Sequence, residues 1–122
     1  MLFFMIDFLS AQMASICFWA VMAKSITKRL KGKRMDAILM KLHRPAGYLT
    51  VLFATVHMAC SLKAMGETAI WAYLFGMLSF FSMILAIIMF KKKSRNPKSW
   101  LLWHRVFSVI AMIAIGLHLV CR

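Results

Sequence analysis

Four apolar stretches, each about 20 residues long, limit what this chain can fold into more than any other feature. They run over residues 2–23, 42–62, 69–90 and 100–121 of a chain of 122. A helix of ~20 apolar residues crosses about 30 Å of hydrocarbon. Inside lipid the backbone must satisfy its own hydrogen bonds, so such stretches fold as helices. The chain is 63% hydrophobic with only three acidic residues, too little polar surface to cover a soluble domain of this size. The expected fold class is therefore all-α: an integral membrane four-helix bundle forming one domain over residues 1–122.

The net charge of +13 would suit nucleic acid, but its distribution argues otherwise. Lys24, Lys28, Arg29, Lys31, Lys33, Arg34 and Lys41 fill the first inter-span loop, and Lys91, Lys92, Lys93, Arg95 and Lys98 fill the third. With Arg44 and Arg105 at the adjoining span starts, fourteen of the sixteen basic residues share one side; Lys63 and Arg122 fall on the other. The positive-inside rule then places both basic loops in the cytoplasm and both termini outside, in a cell (inner) membrane. No nucleic-acid partner is expected. The first span has no basic residue before it and a basic block after it, which reads as a retained helix rather than a cleaved signal.

Trp71 and Tyr73 mark the outer end of the third span, and Trp100 and Trp103 the inner end of the fourth, as interfacial aromatics do. Asn96-Pro97 resembles a helix start, with asparagine as cap and proline in the first turn. Asp36 would start the second helix in the same way, in which case Pro45 falls about two turns in and loosens or kinks it. The other reading starts that helix near Arg44.

All four histidines belong to one repeated pattern: His43-Arg44 followed by His57, and His104-Arg105 followed by His118. Fourteen residues make just under four helical turns, so the two histidines of a copy lie roughly 40° apart around the axis and about 21 Å apart along it. Spans two and four are separated by one span and so run in the same direction. His43 and His104 then share a level near the cytoplasmic face, and His57 and His118 a level near the outer face. Ionisable groups inside a membrane helix are costly and mark sites.

Two imidazoles facing each other in a lipid bundle suit the axial positions of a haem iron. The expected cofactors are two haems, an inner one between His43 and His104 and an outer one between His57 and His118. Without a Cys-x-x-Cys-His motif they would be b-type. Gly47 and Ser108 stand one turn after the inner histidines, where a flat ring needs small neighbours. Ala46, Thr50 and Ala54 in the second span, with Phe107, Ala111 and Ile115 in the fourth, complete that expected face. Arg44 and Arg105 lie where the carboxylates of an inner haem would emerge, and guanidinium pairs with carboxylate bidentately.

The pattern His43-Arg44-x-x-Gly47…His57 with Trp103-His104-Arg105…His118 resembles the transmembrane haem domain of the ferric reductase and NADPH oxidase superfamily. The spacing is also similar to that in the cytochrome b core of quinol-oxidising complexes. The resemblance covers spans two to four. It implies helices two and four facing each other across two stacked haems, with His43 and His104 on one iron and His57 and His118 on the other. These 122 residues contain no flavin or nicotinamide domain, and no Gly-rich dinucleotide fingerprint follows a strand.

The expected activity is transmembrane electron transfer from a cytoplasmic donor to an outer acceptor. The basic face suits an acidic flavoprotein or ferredoxin-like donor, or a quinone supplies the electrons. The alternative is a haem-bearing anchor subunit of a quinone-linked oxidoreductase. A metal-ion transporter with layered histidines would call for intramembrane carboxylates, and the spans carry only Asp7. Asp7 reads as interfacial, or as a proton relay to a quinone. Each imidazole is expected to be oriented by its second ring nitrogen donating to a carbonyl of the preceding turn. His57-x-x-Cys60 and His118-x-x-Cys121 repeat at the outer level, where the cysteines read as small packing residues or as contacts to the haem edge.

Overall fold

The computed structural model describes residues 1–27, 33–62, 70–95 and 97–121. All regular structure among them is helical: α1 (Leu2–Thr27), α2 (Lys33–Ser61), α3 (Ile70–Lys91), a 3-10 turn (Lys92–Ser94) and α4 (Trp100–Val120). The chain divides into two compact units, Met1–Ser61 and Leu62–Arg122. Each is an antiparallel helical hairpin, α1 against α2 in the first and α3 against α4 in the second.

Three stretches are long and apolar enough to cross a membrane: Leu2–Lys24, Ile70–Ser94 and Trp100–Val120. Their large side chains point outward. Phe4, Trp19, Leu74, Leu102, Ile113 and Leu119 are all more than half exposed or close to it, which suits lipid and would be costly in water. α2 does not meet the same standard. Its two histidines, Arg44, Thr50, Thr55 and Ser61 dilute the apolar run.

α2 also starts earlier than the apolar stretch does. It begins at Lys33, places Asp36 in its first turn and continues through Pro45 to Ser61. Asp36 is thus not the cap but an acid near the helix N-terminus, where the macrodipole favours it. Proline has no N–H to give the carbonyl four residues back, and the helix is nonetheless unbroken there. α4 differs too. It begins at Trp100 with Ser99 in the cap position and no side-chain cap bond, so Pro97 lies in the turn before the helix. Asn96, the expected cap, lies outside the described residues.

The second hairpin closes on small residues. In it, Ala72, Ser79, Ser82 and Ala86 of α3 are buried, as are Ala111 and Ala114 of α4. In lipid no hydrophobic force draws helices together, so close backbone approach over small residues supplies the packing. Three hydroxyls of the first hairpin are satisfied locally: Thr50 Oγ1 donates to the Ala46 carbonyl at 2.8 Å, Thr55 to Val51 at 2.8 Å and Ser10 to Asp7 at 2.9 Å. Bonds of this kind let a hydroxyl sit in an apolar medium without a partner on another helix.

Candidate functional site

The second hairpin holds His104 and His118, and one periodicity positions both. His104 Nδ1 bonds the Ala86 carbonyl at 2.8 Å, Ser79 Oγ donates to the Ala111 carbonyl at 3.2 Å, and His118 Nδ1 bonds the Ala72 carbonyl at 2.6 Å. Each contact is seven residues from the next on both helices. Seven residues are close to two full turns, so the three bonds form one seam. Only small side chains along that seam let a ring reach the backbone of the facing helix; Ala72 and Ala86 are themselves buried.

These bonds determine which ring nitrogen carries the proton. A carbonyl oxygen can only accept, so Nδ1 of His104 and of His118 carries the proton. In the neutral ring the lone pair is then on Nε2, at the opposite edge of the imidazole. The orienting carbonyls belong to the neighbouring helix α3, not to the preceding turn of α4 as the sequence suggests. A histidine ring projects away from its own helix backbone, and it reaches the carbonyls of a facing helix where small residues bring that helix close.

His104 has a further wall. Trp100 lies with its ring centroid 6.3 Å from that of His104, Phe90 meets Trp100 edge-on at 5.9 Å, and Lys93 Nζ sits 5.5 Å over the Trp100 ring. The aromatic cluster and the Ala86 carbonyl together restrict the imidazole. Ser108, one turn on, donates to the His104 carbonyl at 2.7 Å, which ties its hydroxyl to the helix and leaves a small, apolar outline. Ala111, expected to line a cofactor face, is instead buried with its carbonyl against Ser79.

His118 is seated against Gly76. A Cβ on Gly76 would come within 3.1 Å of His118 Nδ1 and 3.3 Å of Cε1, closer than ordinary contact. Glycine leaves the ring this room; a Cβ would oblige it to give by a few tenths of an ångström. Gly76→Ala is expected to push the ring outward and weaken its bond to Ala72, at a cost of about 1 kcal/mol or more. Nitrogen-15 NMR of the imidazoles checks this: the His118 Nδ1–H resonance should move upfield while that of His104 stays in place.

The first hairpin holds His43 and His57. His57 Nδ1 lies 2.7 Å from Asp7 Oδ1 on α1, both side chains being about one-fifth exposed (21% each). Ser61 Oγ donates to the same carboxylate oxygen at 3.1 Å. Asp7 is the partner that holds Nδ1 of His57. Sequence reasoning missed this pairing, although Asp7 is the single acid in any span and stands at the depth of His57. His43 is partly buried and Arg44 exposed on the same helix. Beside them, a Cβ on Gly47 would meet no atom within 4 Å. Thr50, expected on the same face as Gly47, is buried within the hairpin. Arg105 of α4 is exposed, like Arg44.

Among the described residues, no three or more His, Cys, Asp or Glu gather to hold a metal ion by protein donors alone. Cys17, Cys60 and Cys121 are free thiols. Comparison with family models, with curated proteins and with solved structures returned no match.

Proposed function

We propose that this chain carries single electrons across a membrane through two b-type haems, each held by two histidines. The observation that carries the reading is the state of the imidazoles. His57, His104 and His118 each hold Nδ1 against a carboxylate or a carbonyl. Metal-ligating histidines are oriented in just this way, with the second ring nitrogen held by a carbonyl or carboxylate. Two of the four histidines occupy each hairpin with the same fourteen-residue interval, so one ligand from each hairpin at each level gives two irons two imidazoles apiece.

The remaining residues fit the same group. Gly47, where a Cβ would meet no atom within 4 Å, and Ser108, whose hydroxyl bonds the His104 carbonyl, would each present a small surface to a flat macrocycle. Arg44 and Arg105, both exposed, would pair with its propionates as bidentate donors. Haem, when bound, supplies a one-electron ferric/ferrous couple. The chain's own part is to hold the ligands in one orientation, to exclude water with apolar helices, and to set the charge around each level. By the positive-inside rule the basic loops would put the Arg44 and Arg105 end in the cytoplasm. There they would dock an acidic flavoprotein or ferredoxin-like donor through charge complementarity.

A reduced-minus-oxidised absorption spectrum of the purified full chain tests the reading. The expected result is a b-type α-band with two haems per chain. Absence of that band after reconstitution with haem overturns it.

A further inference from the structure

A dense patch of charge lies where α3 gives way to α4. Lys91, Lys92, Lys93, Arg95 and Lys98 put five cations into the eight residues 91–98, and no acidic residue follows Glu67. All five are exposed. Like charges this close repel one another, and neither α3, the turn nor α4 has a carboxylate to offset them. An anion from outside the chain would relieve the repulsion.

The backbone gives the patch a defined shape. The 3-10 turn Lys92–Ser94 is closed by the Arg95 N–H, which donates to the Lys92 carbonyl at 3.0 Å. Side chains three apart in such a turn eclipse, which brings Lys92 and Arg95 to one side of it. Lys93 is held elsewhere. Its Nζ sits 5.5 Å from the centroid of the Trp100 ring, which Phe90 meets edge-on at 5.9 Å.

The depth of the patch follows from its neighbours. Ile70–Ser94 and Trp100–Val120 are both long and apolar enough to cross a membrane, and only residues 95–99 separate them. A turn that short, tied at both ends, stays at the bilayer surface. Interfacial tryptophan sits at headgroup level, so the contact of Lys93 with Trp100 puts an ammonium at that same level.

We propose that residues 91–98 bind the headgroup phosphate of an anionic phospholipid, with Lys92 and Arg95 on the phosphate and Lys93 anchored on Trp100. Arginine offers phosphate a planar fork of donors and lysine a point charge, and basic clusters beside a span attract anionic lipid. A docked protein fits this turn less well. A stable protein interface draws about 20–30 residues from each side, and the turn offers eight, pressed against the membrane. The site lies within one hairpin and needs no haem, so its failure would leave the haem reading untouched. With headgroups on this turn, donor docking falls to the basic residues of the first loop.

Tryptophan quenching by brominated lipid tests the proposal. The full chain carries Trp19→Phe and Trp71→Phe, so that emission comes from Trp100 and Trp103, and is reconstituted in vesicles of phosphatidylcholine and phosphatidylglycerol with one or the other brominated. The expected result is a preference for phosphatidylglycerol of about tenfold. Lys92→Gln with Arg95→Gln should abolish most of it, whereas Lys93→Gln with Lys98→Gln, which removes the same charge, should keep most of it. Equal losses in the two pairs would mean a diffuse field and overturn the site, as would a wild-type chain with no preference. Should the first pair fail to reconstitute, Lys92→Gln alone decides: a lower preference supports the site, and an unchanged one overturns it. Neither poly-L-glutamate nor inorganic phosphate should displace the lipid. Displacement by the polymer would assign the patch to an acidic protein, and displacement by phosphate to a free anion; either overturns the proposal.

Discussion

Alanine at His57 is expected to remove one of two haems, and alanine at His118 to remove the same one. His43→Ala and His104→Ala should together define the other. The test is the pattern across double variants. His57→Ala with His118→Ala should cost no more haem than either alone, because an iron that has lost one axial imidazole has already lost the site. His43→Ala with His57→Ala should cost both haems, although those residues share a helix. Pyridine haemochromogen assay gives the stoichiometry, and the split of the α-band or of the low-temperature spectrum identifies the survivor. Loss by helix (His43 with His57, His104 with His118) would overturn the pairing by level. The magnitude should be near complete, since removing a metal ligand outweighs the 10–100-fold effect of removing its outer-sphere partner.

Most helix positions follow from hydropathy alone, and the exceptions have physical causes. The third and fourth apolar stretches coincide with α3 and α4 to within one residue at either end. α2 starts nine residues before its apolar stretch, at Lys33. Hydropathy measures what lipid tolerates, whereas helix hydrogen bonding is indifferent to the charges of Arg34, Asp36 and Lys41. The histidine repeat marks all four candidate ligands, because spacing and depth are properties of sequence. The groups that hold the rings were harder to see. Carbonyls of Ala72 and Ala86 belong to the backbone and carry no residue signature; their trace is the seven-residue spacing of Ala72, Ser79 and Ala86, which reads as ordinary small-residue packing. Gly76 gives a sharper signal only after His118 is placed beside it. Asp7 was visible as an acid in a span, but its contact with His57 depends on the register of α1 against α2, which hydropathy does not specify.

Leucine at Gly47 separates the haem reading from every account in which the histidines only join helices. Glycine inside a helix costs roughly 0.8–1.0 kcal/mol relative to alanine, and leucine is nearly as good a helix former as alanine. A Cβ at position 47 meets no atom within 4 Å. If no cofactor uses that space, Gly47→Leu should therefore raise stability by up to about 1 kcal/mol and do nothing else. If a macrocycle lies one turn beyond His43, the same leucine competes with it. Forcing atoms into an occupied site costs typically 1–3 kcal/mol, which is about five- to 150-fold in binding at 1.4 kcal/mol per decade. The expected outcome is a chain whose apo form melts no lower than wild type by circular dichroism, yet which loses the haem at the His43/His104 level and keeps the other. Gly116→Ala is the control. It too meets open space, but it stands two residues from His118 and so on a different side of α4; its haem content should match wild type. A Gly47→Leu chain that is more stable and binds both haems normally would leave the inner level without a ring beside Gly47.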